Sequence, residues 1–226
     1  MKIDDRTKLL LGDKFSNLEK FKVAVIGVGG VGSIIPISFV RSGIKNIIII
    51  DKDKVDESNL NRQIAYTKND IGKNKVECLK NLLYTIRDDV KVEAYPALIN
   101  DAFDFSLLDG VDYIIDCIDD IKAKVLLAKK ATEKGIKIVV SLGMGNKLNP
   151  ELVKITKLNK TTNDPLAKKY RYLLKQEGID LSLIDVAFSL EKPIIKEKII
   201  SSIFFVPNAA GIILASYVFR QLLEEK

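Results

Sequence analysis

One stretch near the start of the chain leaves few folds open. Residues 22–27, KVAVIG, are almost wholly apolar and run directly into GVGGVG at 27–32. A short run apolar on both faces that stops at glycine reads as a buried parallel strand. A helix from about Gly30 to Arg41 follows. Gly43 closes it as a left-handed cap, and NIIIID at 46–51 reads as a second buried strand ending in an acid. Strand, glycine turn, helix and strand together make a right-handed crossover unit.

The alternation continues. A loop runs to about Ile71, a helix covers roughly 72–87, and KVEAY at 91–95 and DYIIDCID at 112–119 are strand-like. A helix over 120–134 and a strand over 136–141 complete five strands alternating with helices. This pattern predicts an α/β fold: a doubly wound, mostly parallel, Rossmann-like sheet. After Gly143 the chemistry changes. GMGNKLNP is loop-like, LVKIT is a strand, Asp164 and Pro165 cap a basic helix to about Gln176, and 185–189 and 199–206 read as further strands before a closing helix at 208–224. The organisation expected is one domain over 1–226, with an N-terminal arm at 1–21, a nucleotide-binding core at 22–145 and a C-terminal extension of extra strands and helices at 146–226.

The 226 residues, 47% of them hydrophobic, suffice for one sizeable core. The most apolar stretch, 199–219, is broken by Ser201, Ser202, Pro207 and Asn208, so no transmembrane segment is expected and a cytoplasmic protein is. Two distant cysteines, Cys78 and Cys117, give neither a disulfide framework nor a thiolate zinc site. A net charge of +6 suits a polyanionic partner such as RNA, although Lys-, Ile- and Asn-rich AT-biased coding would produce it too.

Glycines between a strand and a helix let backbone amides approach phosphates at a helix N-terminus, which points to a nucleotide at Gly27, Gly29, Gly30 and Gly32. Asp51, about twenty residues past the glycines, stands where an acid accepts hydrogen bonds from ribose hydroxyls, and Asp53 follows it. A dehydrogenase would read the same to this point. The next loop, DKDKVDESNLNRQ at 51–63, adds Asn59, Asn61, Arg62 and Gln63, and an arginine there can cover a triphosphate and stabilise charge moving onto pyrophosphate.

Lys73 and Lys75 fall in the first turn of a helix, where positive charge opposes the helix dipole, a placement that suits phosphate binding by Lys75. Asp119 and Asp120 end the fourth strand. With the second and fourth strands flanking the first, Asp51, the glycines and Asp119 converge at one sheet edge, and Asp119 can hold Mg²⁺ together with phosphate oxygens. Each residue also has a plainer role open to it: a strand-end cap for Asp51, a solvated loop arginine for Arg62, a surface lysine for Lys75, an N-cap for Asp119 or Asp120.

Cys117 reads as a packed strand-end residue rather than a nucleophile, since nothing beside it would lower its pKa. No histidine occurs, which removes His-based triads and metal sites. No GxxxxGK[ST] occurs either. Adenylation of a carboxylate survives these exclusions, because a carboxylate with a pKa of about 4 is already ionised and needs no general base.

The strings GVGGVGS, IDKDKVDESNLNRQ, IGKNKVE and DCIDD, in this order and spacing, resemble the adenylation domain shared by ThiF, MoeB and the ubiquitin-activating enzymes over residues 22 to about 145. The resemblance implies an ATP- and Mg²⁺-dependent enzyme in which Asp51 holds ribose, Asn59, Arg62 and Lys75 handle phosphates, and Asp119 assists adenylyl transfer. Arg6, in DDRTKLLLG, resembles the arginine that such homodimers extend to the partner's nucleotide. Paired CxxC zinc ligands and an added catalytic-cysteine region are both lacking. GMGNKLNPELVKITKLNKTTNDPLAKKYRYLLK, VAFSLEKP and FVPNAAG instead resemble the tRNA threonylcarbamoyladenosine dehydratase (TcdA) branch. That branch implies ATP-dependent cyclisation of a threonylcarbamoyl carboxylate on tRNA, with 146–226 on the substrate and dimer side and a sulfur-transfer protein among candidate partners. Adenylation of the C-terminus of a sulfur-carrier or ubiquitin-like protein is the alternative. The chain departs from some relatives in its short region after Ser189, which lacks a cysteine.

Overall fold

The computed structural model describes residues 1–195 and 200–224. Seven strands form one sheet in the order β3-β2-β1-β4-β5-β7-β6. They are β1 (Lys22–Ile26), β2 (Asn46–Ile50), β3 (Lys91–Tyr95), β4 (Tyr113–Asp116), β5 (Lys137–Ser141), β6 (Val153–Lys157) and β7 (Asp185–Ser189). All neighbours run parallel except β6 and β7, which pair antiparallel at one edge. The doubly wound α/β expectation holds, and the extension joins the same sheet.

The β2 sequence NIIII shows why the sheet needs helices on both sides. Its isoleucines point alternately to the two faces, and all four are buried. Val23, Val25, Ile47 and Ile49 pack in one core with α2 (Phe15–Leu18), α3 (Ile34–Ser42), α4 (Lys75–Ile86) and α7 (Phe205–Glu224). Ala24, Ile26, Ile48 and Ile50 pack in the other with α5 (Ile121–Lys134) and α6 (Pro165–Gln176). At the N-terminus, α1 (Asp5–Leu11) is preceded by Asp4, whose carboxylate takes two 2.8 Å hydrogen bonds from Arg87 at the end of α4. This buried fork fastens the N-terminal arm to the body.

Two elements differ from the sequence expectation. Helix α3 begins at Ile34 rather than near Gly30, because residues 30–33 form a tight turn in which the Gly29 carbonyl accepts from Ser33 and the Gly32 carbonyl from Ile35. The strand expected at 199–206 is not there: residue 199 lies outside the described residues, 200–204 form no strand, and Phe205 and Val206 already belong to α7. Pro207 fits the first turn of a helix, whose early amides have no intrahelical acceptor, whereas in a strand it would remove a ladder donor.

Helix α7 crosses the start of α3 at Gly211. A Cβ there would fall 2.3 Å from the Val31 carbonyl oxygen and 2.4 Å from Ile34 Cγ2. Gly211→Ala must therefore push α7 off the glycine turn, and overpacking of this kind costs about 1–3 kcal/mol. Urea unfolding should show that loss for Gly211→Ala and almost none for Ser216→Ala on the exposed side of the same helix.

Candidate active site

The chain runs β1, β2, β3 to one side and returns to β4 on the other side of β1. A doubly wound sheet opens a crevice where its order reverses. A cavity of about 600 Å³ lies there, lined by Gly27, Gly29, Gly30, Asp51, Asp53, Asn59, Arg62, Lys75 and Asp119 among others. Two predicted members stand apart: Gly32 is not on the lining, and neither is Arg6, which is exposed on α1.

The four glycines divide by role. Gly27 has φ +84°, and a Cβ on it would sit 2.8 Å from the Cys117 backbone. On Gly32 a Cβ would lie 1.8 Å from the Gly27 carbonyl oxygen. Both are therefore required by the close packing of β1, β4 and the turn into α3. Gly29 and Gly30 meet only ordinary contacts, from Gln63 at 3.7 Å and from Arg62 and Pro207 at 3.5 Å, so their bareness keeps the floor of the cavity open.

Asp51 grips this turn from β2. One carboxylate oxygen accepts from the Val28 amide at 2.8 Å and the other from the Asp53 amide at 2.8 Å. Burial raises its carboxyl, opposed by those amides and by Lys75. Buried Tyr66 completes the support, its hydroxyl donating to the Val28 carbonyl at 2.8 Å. Lys75 is the first residue of α4 and only 5% exposed. Its ammonium lies 3.3 Å from Asp53 Oδ2, which answers the cost of a cation at a helix N-terminus. Burial works to raise the Asp53 carboxyl, but the Lys52 hydrogen bond and the Lys75 charge hold it below the ordinary carboxylate value. Lys73 precedes the helix and pairs with Asp70 at 3.6 Å, outside the cavity.

Arg62 arches over Gly30, its Nη1 donating to the Ser58 carbonyl and to Asn61 Oδ1, both at 2.8 Å. It has no carboxylate partner among the described residues. Asn59 lines the cavity while its Oδ1 accepts from the Asp56 amide at 3.2 Å, a reciprocal cap that shapes the loop. Two bonds tie this loop to the start of α7: Asn61 Nδ2 to the Ser202 carbonyl and Asn208 Nδ2 to the Arg62 carbonyl, both at 2.9 Å.

The two aspartates after β4 separate cleanly. Asp120 is the N-cap of α5, accepting from the Ala123 amide at 2.8 Å, whereas Asp119 is exposed to the cavity with neither hydrogen bond nor ion pair among the described residues. Cys117 faces the same space, and burial pushes its thiol well above the ordinary value.

Three features escape the sequence reading. Asp116 and Lys124 form a wholly buried pair at 3.0 Å behind the cavity wall, and Asp116 Oδ1 also accepts from the Ile118 amide at 2.9 Å. Burial raises the Asp116 carboxyl against the pull of Lys124. Lys124 shares one helix face with Leu127, Ala128 and Ala131, and a lysine on an apolar face was the available signal. Lys147 is buried with its ammonium 2.5 Å from the Gly143 carbonyl, and burial lowers its pKa despite Asp164 and Glu191. Last, the buried side-chain atoms without a partner among the described residues are Ser33 Oγ, Gln63 Oε1, Asp116 Oδ2 and Asn208 Oδ1. Gln63 lines the cavity, and Asp116 and Asn208 each stand next in sequence to a lining residue, Cys117 and Pro207, so most of this unmet polarity lies around one space.

Known proteins resemble this chain in both sequence and fold. The ThiF family profile matches residues 6–169. The tRNA threonylcarbamoyladenosine dehydratase of Bacillus subtilis is 33% identical, over 97% of this chain and 94% of that protein. The tRNA threonylcarbamoyladenosine dehydratase 2 of Saccharomyces cerevisiae is 38% identical over 84% of this chain, which spans 43% of that longer protein. The crystal structure of the Escherichia coli tRNA N6-threonylcarbamoyladenosine dehydratase, TcdA, in complex with ATP superposes with a TM-score of 0.90 at 28% identity, covering 99% of this chain and 97% of that one. Matched along almost its whole length in both sequence and fold, the chain belongs to the ThiF family, on the branch of the tRNA threonylcarbamoyladenosine dehydratases.

Proposed function

We propose that the protein is an ATP-dependent, carboxylate-adenylating enzyme that cyclises threonylcarbamoyladenosine in tRNA. The observation that carries this reading is the single cavity edge at which the glycine turn, Asp51, Arg62, Lys75 and Asp119 meet. The near full-length match to the Bacillus dehydratase supports the substrate.

The reaction asks little acid–base chemistry of the protein. The substrate carboxylate, already ionised, attacks the α-phosphorus of ATP; its oxygen gains the bond to phosphorus and pyrophosphate leaves. Charge builds on the leaving group, and Arg62 and Lys75, two of the cations on the lining, are suited to meet it. Lys75 starts from a fixed position against Asp53. Asp51 is suited to hold the ribose with acceptor capacity left over from its two amide contacts. The amides of Gly29 and Gly30, at the turn into α3 on the cavity lining, are suited to hold the phosphates.

Mg²⁺ fits this arrangement in one way. Among the described residues no group of three or more His, Cys, Asp or Glu side chains could hold a metal alone. Asp119, on the cavity and without an ion pair among the described residues, would hold the ion together with phosphate oxygens, as small divalent cations prefer. Held there, the ion would supply charge neutralisation on the phosphates.

Once adenylated, the carboxyl carbon is attacked by an atom of the same side chain, with the large effective concentration of an intramolecular reaction; the bond to AMP breaks, AMP leaves with its electron pair, and the carbamoyl group gives up one N–H proton. The high thiol pKa of Cys117 fits a route without an enzyme thioester. The N-terminal arm at 1–21, with Arg6, is read as reaching a second copy in a homodimer, the extension at 146–226 as the substrate side of one cytoplasmic catalytic unit, and a sulfur-transfer protein as a candidate partner. No described helix is long and apolar enough to cross a membrane.

With Mg²⁺ and ATP, the protein should release AMP on adding tRNA that carries threonylcarbamoyladenosine and not on adding the same tRNA without it. Failure with both tRNAs, together with AMP formed on a Gly-Gly protein C-terminus, would move the reading to a carrier protein. Arg62→Ala should lower the tRNA-dependent rate by about a thousandfold or more. Cys117→Ser should retain AMP release and the wild type should carry no acid-stable, thiol-sensitive adduct during turnover; such an adduct, with loss of turnover in a folded Cys117→Ser, would establish a covalent step.

A further inference from the structure

Helix α6 touches the cavity with its first turn and faces away from it with the rest. Asp164 caps it, accepting from the Ala167 amide at 3.0 Å and from the Gly143 amide at 3.2 Å, and Leu166 lines the cavity itself. Ala167, Tyr170 and Leu174 bury the inner face, leaving Lys168, Lys169, Tyr172 and Lys175 exposed. The twelve residues PLAKKYRYLLKQ contain no acid.

The pairing of these lysines sets α6 apart from its neighbour. On α5, Lys129 pairs with Glu177, Lys130 with Glu133 and Lys134 with Asp109, at 2.7, 2.7 and 2.5 Å. Lys168, Lys169 and Lys175 have no ion pair and no side-chain hydrogen bond among the described residues. Tyr172 stands between them, 62% exposed and held by a 3.0 Å bond from Gln176 Nε2 to its hydroxyl. Behind Lys175 lies a second hollow, lined by Arg171 and Asn159 with Asp180 at its side. Arg171 spends Nη1 on the Thr161 carbonyl and hydroxyl and has no carboxylate partner among the described residues.

Unneutralised cations flanking an exposed aromatic ring are the combination that holds single-stranded nucleic acid, charge against phosphate and ring against base. From Leu166 to Lys175 the helix rises about 14 Å, the axial length of about four stacked nucleotides. We infer that the exposed face of α6 is the track for the RNA backbone beside the modified nucleotide, with Lys168, Lys169 and Lys175 on phosphates and Tyr172 under an unpaired neighbouring base. This rests on the reading that the substrate is RNA, and it adds the surface that delivers the substrate to the cavity.

Alanine is the best helix former, so Lys168→Ala/Lys169→Ala/Lys175→Ala keeps α6 intact. The dissociation constant of modified tRNA should be measured from 50 to 300 mM KCl for the wild type, this variant, a Lys→Arg version, Tyr172→Ala, and a charge-matched α5 control, Lys129→Ala/Lys130→Ala/Lys134→Ala. The α6 triple variant should bind tens-fold more weakly near 100 mM salt, with a log–log salt slope shallower by about two to three, since each lost phosphate contact removes about 0.7–0.9. The Arg version and the α5 control should follow the wild type. Tyr172→Ala should weaken binding about tenfold with the slope unchanged.

An α6 triple variant with wild-type affinity and slope overturns the inference while leaving the dehydratase reading intact, provided the wild type releases AMP with modified tRNA. A wild type that binds no tRNA at any salt overturns both. Loss of affinity for an acidic peptide with tRNA binding unchanged would make the face a protein-docking surface and likewise overturn the inference.

Discussion

The contact on which the rest depends is the one between the carbonyl of Gly27 and the α-carbon of Gly32. At that separation no side chain fits, so the chain leaving β1 turns at once and lays α3 against the sheet. Everything at the site is referenced to that turn. Asp51 holds it from β2, Cys117 abuts it from β4, Tyr66 supports it from the loop and Gly211 brings α7 against its far side. A displacement of a few tenths of an ångström at Gly32 would be passed to four different elements, because close-packed interiors transmit strain rather than absorb it.

The sheet and its switch point were legible because parallel strands announce themselves as apolar runs ending in glycine or acid, as KVAVIG and NIIIID do. Their juxtaposition follows from the handedness of crossovers, so the convergence of Asp51, the glycines and Asp119 could be anticipated without coordinates. The division of labour among the glycines could not. GVGGVG reads as one phosphate-binding motif, yet Gly32 serves packing alone, and only the position of the Gly27 carbonyl reveals it. The C-terminal region misled for a related reason: residues 199–206 are apolar enough for a strand, but the edge was already taken by β6 and Pro207 suits a helix start.

Electrostatics behind the cavity were the least visible from the chain. Lys124 and Asp116 lie eight residues apart on different elements, and Lys147 reaches the Gly143 carbonyl, and feels the charges of Asp164 and Glu191, only through the folded loop. Isolated burial of such charges is prohibitive, and once paired the removal of either partner costs several kcal/mol. Both lysines stand just outside the lining. They hold the walls in place rather than meet the substrate, Lys124 through the carboxylate that fixes the Ile118 amide and Lys147 through the carbonyl of Gly143.

The two hydrogen bonds that join the arginine loop to Ser202 and Asn208 span 141 and 146 residues of sequence. Synthesised from the N-terminus, the chain therefore holds its glycine turn, its ribose acid and its arginine long before it has the wall that closes over them. Loop closure on this scale comes late and adds to contact order. Any ligand that favours the closed cavity then adds its binding free energy to the docking of α7, so occupancy of the site reports that α7 has found its place against the glycine turn and the arginine loop.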